Sequence, residues 1–194
     1  FFPKEELWTL RKLGSRLQGH PQLGLPGLEI SSGSLGQGLS IAVGMAIADR
    51  IDGIDAQVYC LMGDGETNEG QVWEAAMTGA HYKLDNLCAI IDHNKLQIDG
   101  MCCEVKDMGE YRQKWDKFGW YTEEVDGHDL EKLDKVLADM QEVKGKPKVI
   151  IAHTVKGKGV SFVENKVEWH GIAPKKEELE KALVELDRQE KDLG

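Results

Sequence analysis

With 194 residues and a formal net charge of −10, the chain is long enough for one domain with a full hydrophobic core. Its 34 acidic residues against 24 lysines and arginines predict an acidic, solvated surface and exclude a nucleic-acid-binding face. We expect a single domain over residues 1–194. The start at Phe1 rather than Met leaves open that residues are missing upstream.

The four cysteines do not follow a metal-binding or disulfide pattern. Cys60 and Cys88 lie in apolar runs, and Cys102 and Cys103 are adjacent without a C-x-x-C pair. The longest uncharged apolar helix candidate, residues 41–48, is far shorter than the roughly 20 residues that span a bilayer. We therefore expect a soluble, cytoplasmic protein with no membrane partner.

The amino-terminal part of the chain is predicted to be a short helix followed by a loop. Pro3 starts an amphipathic pattern that ends near residues 14–18. Residues 19–34 are rich in glycine, proline and serine, a composition that disfavours regular structure and suits ligand contact. A helix rich in glycine and alanine is then predicted over residues 35–49.

The remainder of the chain alternates between strand and helix. Apolar runs predict strands at residues 58–62, 87–91, 120–125 and 147–155, and periodic patterns predict helices at 71–83, 110–118, 129–144 and 175–191. Asp129 is the predicted N-cap of its helix, and Leu130 belongs to the apolar stripe of that helix that is predicted to face inward. The last helix is predicted to bury the stripe of Leu179, Ala182, Leu183 and Leu186. This alternation predicts an α/β fold with a doubly wound, mainly parallel sheet and helices on both faces.

Two polar motifs follow the first two predicted strands. Residues 63–68 (GDGETN) and 92–96 (DHNKL) place Asp64 and Asn94 at the carboxyl ends of parallel strands, the edge where open α/β sheets bind ligands. Mg²⁺ prefers hard oxygen ligands in octahedral array, so a carboxylate, an amide oxygen and a backbone carbonyl leave room for phosphate oxygens and water. The pattern predicts a divalent-metal and diphosphate site.

Other motif classes fit this segment poorly. A calcium loop is the nearest alternative, since Asp64, Glu66 and Asn68 imitate its first ligands. Glu69 stands where that loop requires glycine, however, and Ala75 stands where it requires glutamate. No G-x-G-x-x-G fingerprint joins a strand to a helix, and a Walker A loop is absent from the sequence.

The motifs together resemble the transketolase family. Gly63-Asp64-Gly65 with a downstream Asn94 resembles the thiamine diphosphate motif, and residues 63–100 are similar to transketolase over their whole length. Further family motifs occur in the same order: GHP at 19–21, SGSLGQG at 32–38, VDGH at 125–128, T-x-x-G-x-G at 154–159 and WHG at 169–171. The resemblance therefore covers residues 19–171 and is specific.

The resemblance implies a set of metal and cofactor contacts. Asp64 and Asn94 would bind Mg²⁺ or Ca²⁺ through their side chains, and Leu96 through its carbonyl. Gly65 would offer its backbone N–H to the diphosphate, and a residue without Cβ permits that close approach. The implied cofactor-binding residues are Gly33, Leu35, Gly63, Asp64, Gly65, Glu66, Asn94 and His170, of which Gly33 and Leu35 would lie along the cofactor rings.

The resemblance also assigns roles to two histidines and a glutamate. His20 and His170 match family histidines that contact substrate or cofactor and assist proton movements, which suits the pKa range of imidazole. Glu69 matches a glutamate near the subunit interface. His153 follows the last predicted strand, and its role is left open between the site and a simple polar contact.

The implied function is transketolase activity of the pentose phosphate type, in which a two-carbon ketol unit passes from a ketose phosphate to an aldose phosphate. In this family a glutamate on a separate pyrimidine-binding domain activates the cofactor, and the chain reaches Gly194 without such a domain. We therefore expect the amino-terminal subunit of a split transketolase, paired with a carboxy-terminal subunit in a heterotetramer of two plus two. The alternatives are a subunit similar to deoxyxylulose phosphate synthase, a transketolase for an unusual sugar, or a non-catalytic regulatory subunit.

Overall fold

A parallel sheet forms the centre of the computed structural model, which describes residues 1–193. The strands are β1 (Val58–Gly63), β2 (Leu87–His93), β3 (Leu96–Gln97), β4 (Gly100–Met101), β5 (Tyr121–Asp126) and β6 (Lys148–His153). Four of them form the sheet in the order β1-β2-β6-β5, and every neighbouring pair is parallel. Gly63 therefore lies opposite Asp92, and His153 lies between His93 and Asp126, so all four strands end at one edge.

Helices cover both faces of this sheet. They are α1 (Gln37–Asp52), α2 (Gly70–His81), α3 (Cys102–Lys106), α4 (Tyr111–Lys117), α5 (Leu130–Gln141) and α6 (Lys176–Leu193). The larger core joins α1, α2 and α4 to one face, and the smaller core joins α5 to the other. The predicted doubly wound α/β class is confirmed. Within residues 1–193, no helix combines the length and apolar character needed to cross a bilayer.

The small residues of α2 make room for a tryptophan. Trp120 is 2 % exposed, and its indole N–H donates to the carbonyl of Ala76 at 2.9 Å. A Cβ added at Gly79 would lie only 3.1 Å from the Trp120 ring. The indole therefore fills the space that a larger residue at Gly79 would need.

Several helix predictions need correction. The predicted amino-terminal helix is only a 3₁₀ turn, Lys4–Thr9, with no buried residue. Leu130, predicted to face inward, is 76 % exposed. The predicted buried stripe of α6 is wrong as well, since its leucines at 179, 183 and 186 are 42–49 % exposed. An amphipathic pattern indicates which face of a helix is apolar, but it does not supply the element that covers that face.

Candidate metal and cofactor site

Asp64 is the buried centre of the carboxyl edge. It follows β1, is 1 % exposed and begins the 3₁₀ turn Gly65–Asn68. Its Oδ1 accepts the Gly65 N–H at 2.8 Å and the Cys102 thiol at 3.5 Å, while its Oδ2 accepts the Lys95 N–H at 2.5 Å. The carboxylate is thus fixed in one orientation by backbone donors from two loops.

The charge of Asp64 has no cationic side chain to balance it. Among the described residues no lysine, arginine or histidine forms an ion pair with this carboxylate. Burial raises the pKa of Asp64 above its ordinary value, and the hydrogen bonds from Lys95 and Gly65 offset only part of that rise. A bound cation would supply the missing compensation.

Asn94 and Leu96 lie in the turn that faces Asp64. Lys95 adopts a left-handed backbone conformation, with φ of 68°, which turns its N–H toward Asp64. Within the same turn the Asn94 Oδ1 accepts the Leu96 N–H at 3.0 Å, and the Asn94 Nδ2 donates to Asp92 at 3.2 Å. The structure therefore brings the three predicted metal ligands into two facing turns, residues 64–68 and 94–96, which we together call the metal turn.

The oxygen atoms of Asp64, Asn94 and Leu96 suit a hard divalent cation that takes its remaining ligands from phosphate and water. No cluster of three or more His, Cys, Asp and Glu side chains gathers for an ion in the described part of the chain. Asp64 would share an ion with neutral oxygens, the Asn94 amide oxygen and the Leu96 carbonyl, and phosphate oxygens and water would complete the shell. The residues present fit a Mg²⁺ or Ca²⁺ diphosphate complex.

Gly65 provides the close approach that a diphosphate needs. A Cβ at this position would lie 2.8 Å from the Cβ of Gln97, so a larger residue would displace β3. Gln97 therefore fills the space on the Cβ side of Gly65, and only glycine fits at the start of the turn. At Gly63, the last residue of β1, an added Cβ would have no atom within 4 Å. The Gly63 N–H instead donates to the Glu66 Oε2.

Glu66 connects the metal turn to the preceding glycine-rich loop. Its Oε1 accepts the Gly36 N–H at 2.9 Å, and its Oε2 accepts the Gly63 N–H at 3.2 Å. Both carboxylate oxygens of Glu66 thus accept hydrogen bonds from backbone N–H groups. The sequence predicts Glu66 as a cofactor contact, and that contact stays a prediction, whereas the bridging role is visible in the structure.

His20 and Gly33 lie against each other beside a large cavity. A Cβ at Gly33, whose φ is 114°, would lie 2.0 Å from the His20 Nδ1, so only glycine leaves room for this ring. The cavity measures about 820 Å³ and is lined by Gly33, Leu35, Glu66 and the outward side chains of β1. This volume is within the range of small-molecule sites. Leu35 is 55 % exposed at its mouth.

His170 reaches the same edge from the other side. It ends the 3₁₀ turn Val167–His170, which packs against β3 and therefore lies near Leu96. Partial burial lowers the pKa of His170, and the nearby Lys156 lowers it further. The imidazole is accordingly neutral near pH 7 and can accept a proton. His20 and His170 lie on separate loops, His20 against Gly33 and His170 in the turn that packs against β3.

Two further histidines, His93 and His153, lie side by side at this edge; the sequence left the role of His153 open and did not assign His93 to the site. The Nδ1 atoms of His93 and His153 are 3.0 Å apart, and the His153 Nε2 is 2.8 Å from the Glu124 carboxylate. The His93 ring packs on Tyr111, whose hydroxyl donates to the Asp64 carbonyl at 3.1 Å. Strand register is the signal that could have found the pair, because parallel neighbours that end together place their last residues side by side.

Comparison with known proteins agrees with this geometry. Residues 2–191 match the family described as "Transketolase, thiamine diphosphate binding domain". The chain is 45 % identical over 189 residues to an apulose-4-phosphate transketolase subunit of Phocaeicola vulgatus, covering 97 % of this chain and 67 % of that protein. It is 40 % identical over 190 residues to the 6-deoxy-6-sulfo-D-fructose transketolase subunit SqwG of Clostridium sp., covering 97 % and 69 %.

Longer transketolases match over the same region. The chain is 42 % identical to the transketolase of Pongo abelii, of which it spans 30 %. The crystal structure of Campylobacter jejuni transketolase superimposes with a TM-score of 0.88 at 34 % identity, covering 93 % of this chain and 29 % of that one. The chain belongs to the transketolase family and contains its thiamine diphosphate-binding domain, which confirms the predicted family and its transferase class.

Proposed function

We propose that this chain is the amino-terminal subunit of a split transketolase, which transfers a two-carbon ketol unit from a ketose phosphate to an aldose phosphate. The observation that carries the proposal is the buried Asp64 carboxylate, held by backbone donors and lacking a cationic partner among residues 1–193. The matched relatives named as transketolase subunits, of which the chain spans about two thirds, support the split arrangement.

In this proposal the metal turn holds the cofactor by its diphosphate. Asp64 and Asn94 bind Mg²⁺, or Ca²⁺ in its place, through side-chain oxygens, and Leu96 binds through its carbonyl. Gly65, whose N–H donates to Asp64 in the structure, would donate it to the diphosphate instead, while Gly33 and Leu35 would lie along the rings. When bound, thiamine diphosphate supplies a carbanion-stabilising centre, and the protein binds, orients and excludes water.

In this proposal the two predicted catalytic histidines lie beside the cavity and the metal turn. His20 is held against Gly33 at the cavity, and His170 lies beside β3, so each can reach a sugar bound over the metal turn. Because its pKa is lowered, His170 is neutral near pH 7 and takes a proton from a substrate hydroxyl at an imidazole nitrogen. His20 binds the substrate from the cavity side.

A partner subunit completes the site in this proposal. A carboxy-terminal subunit with the pyrimidine-binding domain would supply the activating glutamate, in a cytoplasmic heterotetramer of two plus two. Glu69 supports this placement, since it is exposed and its Cβ lies 2.6 Å from the Cβ position of Gly36, next to the cavity. Glu69 would then lie at the subunit interface.

The substrate class is proposed only as ketose donor and aldose acceptor, both as sugar phosphates of the pentose phosphate type. The matched relatives are named for different sugars, apulose-4-phosphate in one and 6-deoxy-6-sulfo-D-fructose in another. The family match therefore supports the reaction class and does not name the sugar.

Reconstitution tests the proposal. The chain and the product of a neighbouring reading frame that carries a pyrimidine-binding domain are purified separately, and ketol transfer is measured with each and with the mixture. We expect no turnover by either protein on its own and full turnover on mixing with thiamine diphosphate and Mg²⁺. Full turnover by this chain alone would contradict the split site. Absence of metal-dependent cofactor binding in the mixture would favour a non-catalytic subunit.

A further inference from the structure

Gln97 places a buried amide nitrogen beside the metal turn. It is the second residue of β3 and follows Leu96 directly. Its Nε2 is inaccessible to solvent and has no hydrogen-bond partner within residues 1–193. Buried donors in folded proteins are normally paired, so an unpaired one beside a candidate ligand site points to a partner that the chain itself does not provide.

The side chain of Gln97 fills the space on the Cβ side of Gly65. The two residues approach so closely that a Cβ at Gly65 would lie 2.8 Å from the Gln97 Cβ and 3.7 Å from its Oε1. Gly65 is the residue whose N–H is proposed to contact the diphosphate. The Gln97 amide is therefore next to the surface on which the diphosphate would lie.

The neighbouring groups do not satisfy this amide. The Gln97 amide is near enough to the Cys102 thiol to oppose the rise that burial causes in the pKa of Cys102. A thiol is a weak acceptor, however, and this one already donates to Asp64 at 3.5 Å. The pairing of β3 with β4 uses main-chain groups only. A negatively charged oxygen would be a much stronger acceptor than any of these.

We propose that Gln97 is a further cofactor-binding residue whose Nε2–H donates a hydrogen bond to the diphosphate of thiamine diphosphate. This inference rests on the proposed function, because it names a new contact in the same site. The amide suits the position since it offers a donor without adding charge. A glutamate there would place a second carboxylate between Asp64 and the diphosphate, where it would repel both.

The test measures affinity rather than turnover. The chain is mixed with its carboxy-terminal partner, and the binding of thiamine diphosphate and of inorganic diphosphate is measured by calorimetry with Mg²⁺. The variants are Gln97→Leu, which removes the donor at similar size, and Gln97→Glu, which replaces it with a charge. The control is Gln113→Leu, at an exposed position of α4. The unfolding temperature of each cofactor-free protein is measured as well.

We expect Gln97→Leu to weaken both ligands about tenfold or more, the effect of losing a hydrogen bond to a charged group. Gln97→Glu should weaken both further, and Gln113→Leu should change neither.

Equal affinity of wild type and Gln97→Leu would overturn the inference while leaving the proposed function intact. A loss of affinity for thiamine diphosphate without a loss for inorganic diphosphate would also overturn the inference, because the effect would then lie at the cofactor rings. A uniform loss in both Gln97 variants that follows a lowered unfolding temperature would assign Gln97 a structural role and likewise overturn it. If wild type bound neither ligand, the proposed function would fail together with the inference.

Discussion

Two aspartates at opposite edges of the same sheet have opposite electrostatic settings. Asp85 precedes β2 at the amino edge, where its carboxylate accepts Arg50 at 2.7 Å and the Gly145 N–H at 2.8 Å. Burial acts to raise the pKa of Asp85, but these partners outweigh it, and the pKa lies below its ordinary value. The carbonyl of Asp85 also accepts the buried Lys148 ammonium. Asp85, Arg50 and Lys148 thus each have a polar partner at this edge.

Within residues 1–193, Asp64 at the carboxyl edge has hydrogen-bond donors but no cationic side chain as a partner. Burial raises its pKa, which means that its ionised form costs folding free energy until a positive charge arrives. The difference shows that the sheet is stabilised at its amino edge and prepared for a ligand at its carboxyl edge. The following predictions test that division, from the largest expected effect to the smallest.

Asp64→Asn should abolish metal-dependent cofactor binding. The amide carries no charge and directs a donor at one of the backbone N–H groups that now bind the carboxylate. We expect affinity for thiamine diphosphate with Mg²⁺ to fall by more than about a hundredfold, since losing even an outer partner of a metal ligand costs about 10- to 100-fold. Calorimetry on the reconstituted complex measures this.

The matched control for this experiment is Asp85→Asn at the amino edge. It should leave cofactor affinity at the wild-type value, because Asp85 belongs to the Arg50 ion pair and not to the metal turn. If both substitutions lowered affinity by similar factors, the division between the two edges would be wrong.

His170→Gln should separate chemistry from cofactor binding within the carboxyl edge. Glutamine keeps a hydrogen-bonding group but cannot take a proton, so we expect ketol transfer to fall about 100-fold or more. The affinity for cofactor should change less than about threefold, a cost below 1 kcal/mol. Steady-state kinetics and calorimetry on the same preparation test both. A parallel loss of affinity and turnover would show that His170 holds the cofactor and not the substrate.

Glu66→Ala should loosen the connection between the cavity loop and the metal turn. The substitution removes both acceptors of the Gly36 and Gly63 N–H groups. We expect cofactor affinity to fall about tenfold, as for one charge-assisted hydrogen bond. The Gly36 amide should also exchange with solvent faster, which hydrogen exchange followed by NMR measures. Glu180→Ala, at an exposed position of α6, is the control. An unchanged Gly36 exchange rate would contradict the bridging role.

The sequence was sufficient for the sheet and for placing the turns after β1 and β2 at one edge. Apolar runs ending in polar residues predicted β1 and β2, and parallel strands necessarily bring their carboxyl ends to one edge. Asp64 and Asn94 could therefore be paired across thirty residues. Asp129 as an N-cap was equally predictable, and its side chain accepts the Lys132 N–H at 3.0 Å.

The remaining features depend on loop conformation, which a single sequence encodes only weakly. The bond from Lys95 to Asp64 requires a left-handed backbone at a residue other than glycine. The Glu66 bridge to Gly36 joins residues thirty positions apart through a side chain. The leucines of α6 illustrate a different limit of sequence-based prediction. The sequence correctly predicted an apolar stripe on this helix, but that stripe is exposed and not buried.

Asp85→Asn should have the smallest effect, on stability alone. Because the folded pKa of Asp85 is depressed, its ionised form stabilises the fold above the unfolded pKa of about 4, and this contribution is lost as pH falls through the folded pKa. The side chains of Asp85 and Arg50 are 26 % and 40 % exposed, so screening reduces the ion pair, and we expect a loss of about 1 kcal/mol at pH 7. Urea unfolding at pH 7, 5 and 3 tests this against Asp134→Asn, at an exposed position of α5. The difference from wild type should persist at pH 5 and shrink at pH 3, because protonation removes the same charge from the wild-type protein. A constant difference at all three values would mean that Asp85 acts through its shape and not through its charge, and the electrostatic contrast between the two edges would then rest on Asp64 alone.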